Sequence, residues 1–264
     1  MEPSPPQTSP LIPIAIIGGF AMIALAILLT GNDSGESITD GDLVQNSEHE
    51  ALEESVSRTV DSSDYIRGNP NAPIMMVEYS DYDCPFCKQF HTTMNQIMDE
   101  YGITGQLGWV YRQFPLAQLH PNSPGISEAA LCVGDIGGND AFWTFSDLIF
   151  EGRAIDAQTN VTKLPQYAVK AGIAEKDFTS CLDSGRMRER VEADIKDGFN
   201  SGVRGTPYTI LTVGDQQAVI KGGQPYHTVK GIVSSLIDQL EGNFDYSRES
   251  VEMPLNDRGV PILE

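Results

Sequence analysis

Hydrophobic and polar positions divide the chain into distinct stretches. Leu11–Thr30 reads LIPIAIIGGFAMIALAILLT, with no charged residue. As a helix at 1.5 Å per residue it would be about 30 Å long, the hydrocarbon thickness of a bilayer. Residues 31–64 carry ten acidic side chains against one basic, Arg58, and no sustained apolar face. Such a segment buries too little to offset its ordering entropy. A flexible acidic spacer is expected, extended by its own charge, with a short helix around Leu43–Val60 compatible with the pattern.

The folded domain is expected to begin near Tyr65. Residues 67–73 are turn-rich, because Asn and Pro favour turns. IMMVEY, Ile74–Tyr79, is a short apolar run bounded by turn signals and predicts a buried strand. Phe90, Met94, Ile97, Met98 and Tyr101 recur at helical spacing and predict an amphipathic helix ending at Gly102. Leu107–Phe114 predicts a second strand, parallel to the first with a right-handed crossover. Helical patterns follow at Glu128–Val133, Ala141–Phe150, Leu164–Ala171 and Arg186–Asn200. Tyr208–Val213 and Ala218–Lys221 then read as a hairpin around Gly214-Asp215. A last helix over Tyr226–Leu240 has Val229, Ile232, Val233, Leu236 and Ile237 on its face. The predicted architecture is one α/β domain over residues 65–241, with a helical insertion at about 124–185, preceded by one transmembrane helix. Residues 242–264 form a tail with no assigned element, and there are no internal repeats.

Charge and composition narrow the function. A net charge of −20 over 264 residues excludes a nucleic-acid partner, which needs a basic footprint. The apolar run is expected to be an uncleaved anchor. Residues 1–10, a short tail, lack the Lys or Arg of a signal peptide, and the small-x-small pattern at Ala24–Ala26 lies inside the run. No cysteine at its end supports a lipoprotein. Neither flank carries a strong positive cluster, so an N-in, C-out topology rests on the cysteine chemistry as well.

Four cysteines are present: Cys84, Cys87, Cys132 and Cys181. In Cys84-Pro85-Phe86-Cys87 the proline suits the first position of the predicted helix, which places Cys84 at the helix N-terminus. Free backbone N–H groups and the macrodipole there favour the thiolate, the attacking species in disulfide exchange. Cys87, one turn inward, is expected to be buried and to resolve a mixed disulfide. Glu78 is conspicuous in an apolar strand. It reads as a buried carboxylate relaying a proton to or from Cys87, against the alternative of a strand-end carboxylate reaching solvent or a lysine. Asp81 and Asp83 are expected to oppose thiolate formation at Cys84. One CxxC is half of a four-thiol zinc site, and Cys132 and Cys181 provide no second close pair, so no metal is expected.

The stretch Val77-Glu-Tyr-Ser-Asp-Tyr-Asp-Cys-Pro-Phe-Cys-Lys88 resembles the active-site segment of DsbA-like proteins, and Val203-Arg-Gly-Thr-Pro207 is similar to that family's cis-proline loop. The insertion falls where the family carries one. The resemblance implies a thioredoxin-like fold and protein thiol:disulfide oxidoreductase activity with no dissociable cofactor. It implies that Cys84 is the nucleophile, Cys87 the resolving thiol, Glu78 the buried acid and Pro207 a cis-proline. Thr206, with Pro85 and Phe86, would meet an extended substrate peptide. Strongly oxidising members often have His between the cysteines; Pro85-Phe86 carries no positive charge, which implies a less oxidising couple.

The expected activity is dithiol oxidation of reduced or unfolded secreted and envelope proteins, on the extracytoplasmic side of the cell membrane. The same residues also serve a reductase or isomerase, and a tethered non-catalytic chaperone is the alternative of another class. A membrane-embedded redox partner would recycle the protein, and with no dimerisation module a monomer is expected. Cys132 and Cys181 are expected to form a structural disulfide, two buried free thiols being the alternative.

Overall fold

The computed structural model describes residues 57–214, 216–242 and 262–263. The predicted anchor at Leu11–Thr30 lies outside the described residues, as do most of the acidic spacer and the C-terminal tail. Among the described residues, no helix is long and apolar enough to cross a membrane.

Strand β1 (Tyr65–Gly68) leads into β2 (Ile74–Ser80), helix α1 (Pro85–Tyr101) and β3 (Leu107–Gln113). Helices α2 (Ser123–Glu151), α3 (Leu164–Lys170), α4 (Glu175–Ser184) and α5 (Arg188–Asn200) follow. Strands β4 (Tyr208–Val213) and β5 (Gln216–Lys221), helix α6 (Tyr226–Leu240) and the two-residue β6 (Ile262–Leu263) complete the order. The sheet runs β1-β3-β2-β4-β5-β6. β2 pairs parallel with β3 and antiparallel with β4, so β2 is central and buried on both faces, as its nearly unbroken apolar run requires.

Period-two alternation splits β2 between two cores. Ile74 and Met76 join Trp109, Tyr111 and the buried face of α1 (Phe90, Met94, Ile97) in the larger one. Phe142, Trp143 and Phe145 of α2 belong to the same core. Each fully buried aromatic or long aliphatic side chain there contributes about 1.5–3 kcal/mol. Val77 and Tyr79 face the other side, against Val110, Phe114, Tyr208 and Ile210.

Several elements depart from the sequence expectation. β1 is a four-residue, half-buried edge strand, too short to register as a pattern. The two helical patterns over 128–150 belong to one run broken at Gly138, whose φ of 76° few other residues adopt. Helix α4 buries only Phe178 and Cys181, too few positions to reveal a period. It is also joined covalently to α2, since Cys132 and Cys181 form a disulfide, and Phe178 packs on Phe145. Closing that 49-residue separation stabilises the fold by about 4 kcal/mol in the chain-entropy treatment.

The domain start needs correction. Ser57 and Asp64, assigned from sequence to the spacer, are buried. They answer a charge that lies far away in sequence. Arg112 of β3 is fully buried, and its guanidinium donates to Asp64 Oδ1 at 3.1 Å, Asp64 Oδ2 at 3.0 Å, Asp197 Oδ2 at 2.9 Å and Ser57 Oγ at 2.8 Å. Arg58, the basic residue of the acidic stretch, adds a second pair to Asp64. The packed domain therefore reaches back at least to Ser57.

Candidate active site

The chain leaves the carboxyl end of β2 at Ser80 and enters α1 five residues later. Asp81 builds the turn between them. Its backbone carbonyl accepts from Cys84 N at 3.2 Å, and its Oδ1 accepts from Asp83 N at 2.8 Å. Oδ2 accepts from Leu116 N at 2.7 Å and lies 2.8 Å from His120 Nδ1, while the Ser123 hydroxyl donates to Oδ1. Asp83 Oδ1 accepts from Thr159 N at 2.7 Å. Both carboxylates thus help to hold the turn while their charges stay beside Cys84, and Asp83 Oδ2 has no protein partner among the described residues. The distant donors that hold them, Leu116, His120, Ser123 and Thr159, left no local sequence signal.

Cys84 is the N-cap of α1 with Pro85 behind it at the first turn, and both cysteines are free thiols. Cys84 retains 4% exposure and Cys87 none. Their titration separates accordingly. A hydrogen bond from the Cys87 thiol is the main cause that brings Cys84 down to about 6. Burial opposes it, and the backbone N–H groups of Cys87 and Phe86 and the Thr206 hydroxyl add to the lowering. Cys87 is pushed up by burial and by the adjacent Cys84 charge. Asp81 N lies 3.5 Å from the Cys87 sulphur as its donor.

The Thr206–Pro207 loop meets this helix start. The Thr206–Pro207 peptide is cis. The Cys84 thiol donates to the Thr206 carbonyl at 3.5 Å, 122 residues away in sequence. A depression of about 490 Å³ lined by Arg204, Thr206, Pro207, Tyr208 and Lys221 opens beside it. Pro85 is half-buried, and Phe86 is 59% exposed, an aromatic ring displayed next to the nucleophile position. Gly223 lies against Phe86: a Cβ there would come within 2.9 Å of the Phe86 carbonyl, so the β5–α6 loop approaches this closely because it has none.

Glu78 shares a strand face with Ile74 and Met76, the face on which α1 packs. It is fully buried, which removes the solvent-reaching alternative. Trp109 Nε1 donates to its Oε2 at 2.9 Å, and Oε1 has no protein partner among the described residues. Burial, reinforced by the Cys84 charge, raises its pKa to about 7. A carboxylate that titrates near neutrality and senses both sulphurs is able to accept or return a proton.

Two participants carried no sequence signal. Trp109, the donor to Glu78, reads as a strand apolar residue. Arg153, 7% exposed, donates Nε to the Tyr82 carbonyl at 3.0 Å and Nη2 to the Cys84 carbonyl at 2.7 Å. Among the described residues no three His, Cys, Asp or Glu side chains converge to hold a metal ion.

The sequence profile of a family described as thioredoxin matches residues 61–232. Among curated proteins, the chain is similar to Na(+)/H(+) antiporter NhaA 1 of Salinispora arenicola, 31% identical over 144 residues. That match covers 54% of this chain and 21% of the antiporter, so the chain spans about a fifth of that relative's length. Among solved structures it is similar to oxidised BdbD from Bacillus subtilis, with a TM-score of 0.58 and 22% identity, covering 67% of this chain and 94% of that one. It is also similar to α-DsbA1 from Wolbachia pipientis, with a TM-score of 0.60 and 19% identity, covering 71% and 98%. At these identities the structural likeness establishes a common fold.

Proposed function

This chain belongs to the DsbA-like thioredoxin-fold oxidoreductase family, and from that premise we propose that it is an extracytoplasmic dithiol oxidase acting through Cys84 and Cys87. The observation that carries the reading is the asymmetry of the pair: one sulphur brought down to about 6 at a helix N-terminus, the other buried and pushed up. In the disulfide state a substrate thiolate attacks Cys84 Sγ, and Cys87 leaves as a thiolate that takes up a proton. Glu78, near neutrality and beneath α1, is the relay for that proton. A second substrate thiolate then attacks the substrate sulphur of the mixed disulfide and expels Cys84, a good leaving group because its thiolate is stabilised. The substrate loses two electrons, and the Cys84–Cys87 pair gains them.

Thr206 offers its backbone to an extended, reduced protein segment in strand-like pairing, with Phe86 and Pro85 as the apolar contacts beside the sulphur. A quinone-linked membrane oxidase is the recycling partner, and Leu11–Thr30 is the anchor that keeps the domain beside it. The Cys132–Cys181 disulfide supports an oxidising compartment for the domain.

The test is the reduction potential of Cys84–Cys87 in the full-length chain, equilibrated with glutathione. A value between about −120 and about −180 mV is expected, and one near about −270 mV would make the protein a reductase. Cys84→Ser is expected to abolish exchange with a reduced peptide while peptide binding persists. Exchange surviving in that variant would refute the assigned nucleophile.

A further inference from the structure

Neither the sequence pattern nor the exchange steps account for Arg153. It follows the end of α2, in the insertion, yet its guanidinium is buried against the turn that carries Cys84. Besides Tyr82 O and Cys84 O, it donates Nη1 to Ile155 O at 2.9 Å and Ala157 O at 3.0 Å. These acceptors are backbone carbonyls, and among the described residues Arg153 forms no ion pair. A buried cation without a counter-ion costs several kcal/mol, so its retention calls for a reason. Burial holds its pKa below the ordinary guanidinium value, while Asp83, Cys84, Cys87 and Asp81, in that order, favour its charge.

The other charged groups around the turn are few. Glu78 lies beneath α1. Lys88 of α1 donates Nζ to Phe150 O at the end of α2 and feels Arg153 as a like charge. Asp81 and Asp83 give the turn two carboxylates; His120 Nδ1 lies 2.8 Å from Asp81 Oδ2, Asp83 Oδ2 has no protein partner among the described residues, and Pro85-Phe86 brings no cation. We propose that Arg153 supplies that missing positive charge from the insertion, offsetting Asp81 and Asp83 so that Cys84 is held as a thiolate. It is a positioning residue acting through the Cys84 peptide, not a catalytic one. The insertion then does more than cover the sheet: it tunes the redox couple. This inference rests on the oxidoreductase reading above.

The experiment uses the full-length chain and two readouts, the pH titration of thiolate ultraviolet absorbance and the glutathione equilibrium. Arg153→Met is expected to raise the Cys84 midpoint by about one unit and to shift the equilibrium about tenfold towards the disulfide form, equivalent to about 30 mV. Arg153→Lys keeps the charge and is expected to restore most of the shift. Asp83→Asn retains the Oδ1 acceptor for Thr159 N and is expected to move the midpoint downward. An Arg153→Met protein that loses thermal stability but keeps the wild-type midpoint and equilibrium would reduce Arg153 to a clasp on the turn and overturn the proposal. If that variant does not fold, Asp83→Asn decides, and an unmoved midpoint there is equally fatal. A wild-type chain that exchanges with no thiol would instead defeat the oxidoreductase reading itself.

Discussion

Glu78 and Arg112 are both fully buried ionisable side chains of neighbouring strands, and the protein treats them in opposite ways. Arg112 donates to Asp64, Asp197, Ser57 and Tyr79, and these partners outweigh its burial and push its pKa upward. Asp64 is likewise held below its ordinary value: burial raises it, but Arg112 and Arg58 together lower it more. Glu78 has one donor, Trp109, one oxygen without a protein partner, and no cation beside it. Burial therefore wins, and its pKa rises to about 7. A charge matched on all sides is fixed and serves the fold. A group left half-matched titrates in the physiological range, beside the sulphurs, where a proton must move. Partner number, not exposure, separates structural from chemical burial in this protein.

The largest expected effect lies with the matched charge. Arg112→Met removes the buried cation shared by Asp64 and Asp197 and is expected to destabilise the domain by about 3–5 kcal/mol in urea unfolding, with exchange per folded molecule nearly unchanged. Loss of exchange in the remaining folded fraction would break the comparison, since Arg112 would then serve the chemistry.

Glu78→Gln comes next, and its effect depends on pH. The folded pKa is raised to about 7 from 4.5, so the stability contributed by Glu78 is whole below pH 4.5 and is lost as pH rises through about 7. The variant removes that loss. With the Cys84–Cys87 disulfide formed, its stability relative to the parent is expected to improve by up to about 3 kcal/mol between pH 4 and pH 8, with slower release of Cys87. A flat difference over that range would mean that Glu78 stays ionised, as a matched charge does.

The smallest effect calibrates the scale. Arg186 and Asp135 pair at the surface, each side chain 46% exposed. Arg186→Ala is expected to cost about 1 kcal/mol or less, vanishing in high salt. A larger, salt-insensitive loss would show that a single partner is enough to fix a charge and would break the comparison.

How much was legible beforehand follows from the range of each interaction. Strand β2, helix α1, the β4–β5 hairpin and α6 could be read because their apolar periods lie within one segment. The cysteine pair was legible because its chemistry is set by Pro85 and the helix start. Helix α4 was not, since one of its two buried residues is held by a disulfide to another helix. The spacer boundary was misplaced for a related reason: Ser57–Asp64 has no apolar face and is recruited by Arg112, about fifty residues later.

By itself the sequence determined the alternation of strands and helices, the position of Cys84 at a helix N-terminus and the anomaly of Glu78, all properties of local period and residue type. Tertiary structure alone decided how strongly these groups are charged. Asp81 is met by Leu116 N, His120 and Ser123, Cys84 by Thr206, and Arg153 is folded in from the insertion. Electrostatic energy depends on distances through space and on exclusion of water, and neither quantity is written along the chain.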